Sequence, residues 1–249
     1  MPTKLLSFCA SCLFSANLLA FPYLPASVHP FLSVTGGYSV VQSPSSNQQF
    51  VFSDNSFYTL RTNSSVYHEG ISGLFVGAEW RYRPEYSMQL GVSYYQPSTF
   101  TVNGTDTQGI INSPATFDTY AYQYTLNMRQ LLLEGKWLYN WKELFHPYIT
   151  LGLGGAYNTA YQYGINNPVF LAFAPQFANN STASFSYRVG LGLDVTATDN
   201  LRVGIGYRYA DFGKAQLGNG AIDTIATPGS LQQTHIYVNE VVAELTLMA

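Results

Sequence analysis

Residues 187–209 read YRVGLGLDVTATDNLRVGIGYRY, and they alternate strictly on both sides of a short polar link. Tyr187, Val189, Leu191, Leu193 and Val195 are separated by Arg188, Gly190, Gly192 and Asp194. After the link, Leu201, Val203, Ile205, Tyr207 and Tyr209 are separated by Arg202, Gly204, Gly206 and Arg208. A two-residue period marks β-strands with one apolar face, here joined as a hairpin. In a soluble sheet the apolar face covers a core and the polar face meets water. A polar face of glycine and arginine is a poor coat for a soluble sheet but a workable filling for a narrow barrel. The expectation is therefore inverted: Val189, Leu191, Leu193, Val203 and Ile205 face outward, and the glycines and arginines face in.

Dyad alternation recurs in eight segments. The first is FLSVTGGYSVV, the second runs from about Ile71 to Arg83, and the third is EYSMQLGVSYY. The fourth runs from about Thr119 to Tyr139 and the fifth is HPYITLGLGGAYN. The opening stretch supplies two more, and THIYVNEVVAELTL is the eighth. The fourth breaks parity. Tyr122, Tyr124, Leu126 and Met128 are apolar in its first half, with Asn127 and Arg129 opposite; Leu131, Leu133, Trp137 and Tyr139 are apolar in its second. Either a β-bulge between Met128 and Leu131 restores order, or the first half already projects beyond the zone in which the outward face must be apolar.

The links alternate in length. Pro84-Glu85, NWKELF and TATDN are short, whereas roughly 42–70, 96–118, 158–183 and 212–233 are long and rich in Asn, Ser, Thr, Gln and Gly. Short turns at one end, long loops at the other and an even strand count are the pattern of bacterial outer-membrane barrels. Within lipid an unpaired backbone group costs several kcal/mol, so strands cross only when closed into a ring. Aromatic placement agrees. Trp80, Trp137 and Trp141 sit beside short turns, while Tyr187, Tyr209 and Tyr237 sit towards long loops, as interfacial girdles do.

Charged residues make up 10% of the chain against about 25% in soluble domains, and aromatics reach 16%. A net charge of −3 offers no basic face for nucleic acid. Lys4 followed by an apolar stretch from Leu5 to Ala20 has the layout of a secretory signal peptide, 1–20, with Ala26 as a second cleavage candidate. The barrel domain is then 27–249. Both cysteines, Cys9 and Cys12, lie in the signal, so the exported chain has neither disulfides nor thiolate metal sites.

The signal peptide, the paired strands RVGLGLDV and LRVGIGYRY, the HPYITLGLGGAYN strand and the loop alternation together resemble the small outer-membrane β-barrel proteins. That group is typified by the transmembrane domain of outer membrane protein A. The resemblance implies an all-β, eight-stranded antiparallel up-and-down transmembrane β-barrel with short periplasmic turns and long extracellular loops. It also implies the bacterial outer membrane as location and, as partners, outer-membrane lipid or lipopolysaccharide and the barrel-assembly machinery. Such barrels usually end in an aromatic residue that the machinery reads, whereas this chain ends LTLMA.

The inward charges are the candidates for specific chemistry: Glu79, Arg81, Arg129, Glu134, Lys136, Arg188, Asp194, Arg202, Arg208, Glu240 and Glu244. Ions of both signs in a narrow interior must pair, and Arg81, Arg188 and Arg208 facing Glu134 and Glu240 form the expected centre. Such a network either fills a closed barrel or lines a narrow path for small solutes. Neither catalysis nor a bound cofactor or metal is expected. None of His29, His68, His146 or His235 has serine two residues later, as the lipid-A deacylase pattern requires, and scattered histidines build no metal set. His146 reads as interfacial. GKW at 135–137 is similar to the lipocalin Gly-x-Trp but lies mid-chain rather than near the first strand. FVFSDNSFYTL and NNPVFLAFAPQFANN are too aromatic for inert tethers; they either extend the barrel rim or meet a host or cell-surface ligand. The reading is a structural or surface-interacting barrel, with a narrow channel as the alternative.

Overall fold

The computed structural model describes residues 28–43, 45–52, 54–166, 175–222 and 225–249. The expected signal peptide, both cleavage candidates and most of NPVFLAFAPQF lie outside the described residues. Eight strands form a ring: β1 (Val28–Ser43), β2 (Ser65–Arg83), β3 (Tyr86–Pro97), β4 (Ser113–Tyr139), β5 (Phe145–Ile165), β6 (Asn180–Thr198), β7 (Leu201–Asp211) and β8 (Tyr237–Met248). Each pairs antiparallel with its sequence neighbours. β8 returns to β1 in a register from Phe31↔Met248 to Gln42↔Tyr237, which closes the ring and leaves no edge at this level.

Side-chain burial fixes the faces. Val189, Leu191, Val203, Ile205, Leu131, Leu133, Ile149 and Leu153 are exposed on the outside. Arg188, Asp194, Arg202 and Arg208, from the intervening positions, are buried inside. This is the inside-out pattern that a lipid-facing barrel requires. Gly77 and Gly91 lie directly opposite each other on β2 and β3. A Cβ on either would run into the carbonyl oxygen of Leu90 or Val76, so the close approach of these strands requires glycine.

The long links differ from expectation. Ser46–Val51 prolongs β1, Ser56–Thr62 leads into β2, and Phe100–Ile110 prolongs β3. Segments 42–70 and 96–118 are thus mostly hairpin rather than loop, with pairing carried to Val51↔Phe57 and Ile110↔Ser113. Short strands also occur at Ala215–Gln216, Gly220–Ile222, Ile225–Ala226 and Gln232–Gln233. β4 has 27 residues, about 90 Å of strand at about 3.3 Å per residue, against an apolar band about 25 Å tall. Even tilted, its N-terminal half stands clear of that band.

The parity break in β4 now has a cause, and it is not a bulge at Met128–Leu131. Pairing with β5 runs unbroken from Thr125↔Tyr161 to Leu138↔Tyr148. One face points inward throughout, and what changes is the chemistry of the interior. Below, Gln130, Glu134 and Lys136 face a polar lumen; above, Tyr122, Tyr124, Leu126 and Met128 enter an apolar core. That core also takes Val41, Leu60, Phe100, Val102 and Ala160 from the walls, and Phe212, Leu217, Leu231 and Ile236 from the segment between β7 and β8. Arg129, expected inside, is exposed on the outer face for the same reason.

Candidate functional site

The interior of the ring is stacked in levels. Nearest the short turns, Glu79 on β2 receives both Arg202 nitrogens, Nη1 at 2.7 Å and Nη2 at 3.0 Å, and Gln89 Nε2 at 2.7 Å. This is the forked arginine–carboxylate geometry that makes a strong charge-assisted pair. One level up, Lys136 Nζ lies 2.7 Å from both Asp194 Oδ2 and Glu244 Oε2, and 3.8 Å above the Tyr148 ring. Arg208 pairs with the other oxygen of Glu244. Arg188 Nη1 donates to Glu240 Oε2 at 2.6 Å, while its Nε and Nη2 both donate to Gln130 Oε1. Its guanidinium lies 3.6 Å from the centre of the Tyr95 ring.

Strand alternation carries these side chains inward, and hairpin register brings them level. Arg208 is opposite Glu240 across β7 and β8, whereas Arg188 on β6 reaches Glu240 on β8 over the intervening β7. Arg188, Arg208, Lys136 and Tyr95 are all at most 2% exposed, gathered inside the ring. The expected centre of the network is rearranged in two respects. Glu134 bonds Tyr95 Oη at 3.1 Å and Thr150 Oγ1 at 2.8 Å rather than an arginine. Arg81 is exposed and stands apart from the network. It lines a mouth of about 690 Å³ at the turn end with His29, Glu79, Glu143, Asp199 and Arg202. Its parity is inward, but it lies beyond the last level that closing strands can shield.

His146, expected at the interface, is buried, with Nδ1 2.9 Å from Asn140 Oδ1 and Nε2 2.7 Å from Thr196 Oγ1. His235 Nδ1 lies 2.8 Å from Asp211 Oδ2. The aromatics divide between the two ends. Tyr82, Tyr86, Tyr139, Trp137 and Trp141 surround the short turns on the outside, with Trp80 half-buried beside them. Tyr187, Tyr209 and Tyr237 form a row at the opposite end, with ring centres 6.5 and 5.9 Å apart. Gln130, Tyr95 and Tyr148 belong to the interior cluster but carry no charge. Their inward parity, read beside Arg188 and Lys136, was the one signal available for them.

Among the described residues, no group of three or more His, Cys, Asp or Glu side chains is placed to hold a metal ion. Among the described residues no helix is long and apolar enough to cross a membrane, which says nothing of strands.

No curated protein sequence matches the chain. Among solved structures it is similar to outer membrane protein OprG from Pseudomonas aeruginosa, at 13% identity and a TM-score of 0.46, covering 89% of this chain and 97% of that one. It is also similar to Neisserial surface protein A (10%, TM-score 0.40, 87% and 96% covered). A third is the outer membrane protease OmpT from Escherichia coli (10%, TM-score 0.43, 90% and 97% covered). Likenesses at this level leave the role of the chain to its own residues. The family profile for the outer membrane protein beta-barrel domain matches residues 8–238, nearly the whole chain. The chain belongs to the outer membrane protein beta-barrel domain family.

Proposed function

We propose that this barrel is a sealed, non-catalytic surface protein of the outer membrane, which anchors an extracellular β-wall that makes the contacts. The burial of the lumen side chains supports this reading. Arg188, Arg208, Lys136 and Tyr95 occupy the lumen as paired or stacked side chains, and above them the lumen passes into an apolar core. A hydrated ion would have to part several buried ion pairs, each stabilised by low dielectric and closed geometry, and then cross aliphatic packing. The long extracellular strands would have little purpose in a barrel that only fills the membrane, so they are the part offered to host or neighbouring surfaces. Outer-membrane lipid surrounds the aliphatic belt, and the barrel-assembly machinery inserts it.

Planar-bilayer recording tests the proposal. Purified, heat-modifiable protein is expected to give no steady conductance in 1 M KCl, and Glu240→Gln is expected to introduce at most brief flickers. Steady, salt-dependent conductance from the unmodified chain would replace this reading with the narrow-channel one. Unchanged lipid A mass spectra on expression in a host lacking the protein are the expected result for a barrel without catalysis.

A further inference from the structure

Among the described residues, the extracellular wall carries an open strand edge at Ser46–Val51. Among the described residues, this is the terminal strand of its sheet and pairs only with Ser56–Thr62. Below it the same edge is closed by β8, but that pairing stops at Gln42↔Tyr237, where the chain between β7 and β8 leaves the wall. The direction of the free groups follows from the turn. Phe52 N donates to Ser56 O at 2.9 Å, so alternate residues back along the strand, Phe50, Gln48 and Ser46, turn their backbone groups to Ser56–Thr62. The N–H and C=O groups of Asn47, Gln49 and Val51 therefore face the open side, and all three residues are exposed.

Edges of this kind are normally defended by lysine, proline, a bulge or a charge. Ser46–Val51 reads SNQQFV and holds no charge and no proline. Behind it lies a ledge, and between them a groove of about 440 Å³ lined by Gln48, Gln49, Phe50, Lys214, Gln216 and Gln232 among others. The Gln48 side chain spans to the ledge and bonds both backbone groups of Gln232: Nε2 donates to its C=O at 2.9 Å, and Oε1 accepts from its N–H at 3.3 Å. A side-chain amide thus performs across the groove the reciprocal bonding that a neighbouring strand would. Lys214 is the one charged residue lining the groove, and no ion pair to it occurs among the described residues.

We infer that this edge and its ledge take an extended polypeptide segment of another protein by strand addition, antiparallel to Ser46–Val51, with a carboxylate on the segment meeting Lys214. Main-chain bonds from Asn47, Gln49 and Val51 supply most of the recognition, and the glutamines supply amide partners to the segment's side chains. A second copy is not the occupant. Two barrels in one membrane both run this strand outward, so an antiparallel pair between them is not available to strands that continue β1. The inference deepens the surface-contact reading and rests on it.

The test uses the full-length barrel in detergent micelles and a fluorescent, terminally blocked heptapeptide of alternating Thr and Val with a central Glu. Saturable binding is expected, weakened about threefold when Gln replaces the Glu or when Lys214→Gln is used. Gln49→Pro removes an N–H that only the open edge uses, so the barrel stays heat-modifiable while peptide binding falls about tenfold. Gln49→Thr, which keeps that N–H, retains binding. Absence of saturable binding to the unmodified barrel, or equal binding by Gln49→Pro, overturns the inference. So does a sedimentation shift from dimer to monomer caused by Gln49→Pro, which would assign the edge to a second copy. Conductance by the barrel bears on the sealed-interior reading alone, because peptide binding is measured without a membrane potential or an ion gradient.

Discussion

A buried ion pair responds differently to the loss of one partner and to the loss of both. Arg188 and Glu240 are both fully buried and bonded at 2.6 Å. Replacing Glu240 with Leu strands the guanidinium, and a loss of about 3–5 kcal/mol in urea unfolding is expected. Adding Arg188→Leu is expected to recover much of that loss, because an apolar pair leaves no uncompensated ion. A double-mutant cycle on the folded fraction measures it. Asp106 is the opposite case, a buried carboxyl with Gln108 Nε2 at 2.7 Å on one oxygen and no hydrogen-bond partner on the other. Burial pushes it up to about 6, with the Gln108 bond offsetting part of the effect. The folded state thus holds a proton that the unfolded chain releases near pH 4. The stability of the extracellular wall should fall as pH rises from about 4 to about 6, by up to about 3 kcal/mol, and level off above. The urea midpoint of the wall's tyrosine signal at pH 4, 5, 6 and 7 checks this, and Asp106→Asn should remove Asp106's share of the step.

Among the elements, the β2–β3 hairpin is the least tolerant of added bulk. Gly77 and Gly91 face each other where a Cβ would meet the opposite backbone, so Gly91→Val must spread the strands and lose ladder bonds. The barrel should then fail to show heat modifiability, whereas Gly36→Val, with open space at that position, should leave it intact. The barrel strands were legible because lipid and lumen impose opposite chemistries on alternate residues, as RVGLGLDV does on β6. The strand extensions were not. Ser46–Val51 and Phe100–Ile110 carry Asn, Gln, Thr and Gly, which read as loop, yet they are held by cross-strand partners rather than by their own propensity. Arg81 and Arg129 share the cause of their misplacement: parity gives a direction but not a height, and height decides what the interior is made of.

The whole molecule joins a lipid-facing ring to a water-facing β-wall without a break in the strands. The two halves answer to different solvents. Urea weakens apolar cores in water but leaves the aliphatic belt in its detergent collar, so unfolding should proceed in two steps. Tyrosine near-UV signals from the wall are expected to change first, and heat modifiability of the ring is expected to disappear later; a single coincident transition would mean the halves are one cooperative unit. Because the interior changes character near Gln130 while β4 keeps one parity, tolerance to mutation should exchange sides there. From Leu131 to Tyr139, polar substitutions are harmful at odd positions, which meet lipid, and milder at those even positions where the buried charges of Glu134 and Lys136 are kept. From Tyr122 to Met128 the even positions become the sensitive ones, and the odd positions accept almost any hydrophilic residue. A selection scan along this one strand would show two opposite alternations meeting at a point, with no linker between them.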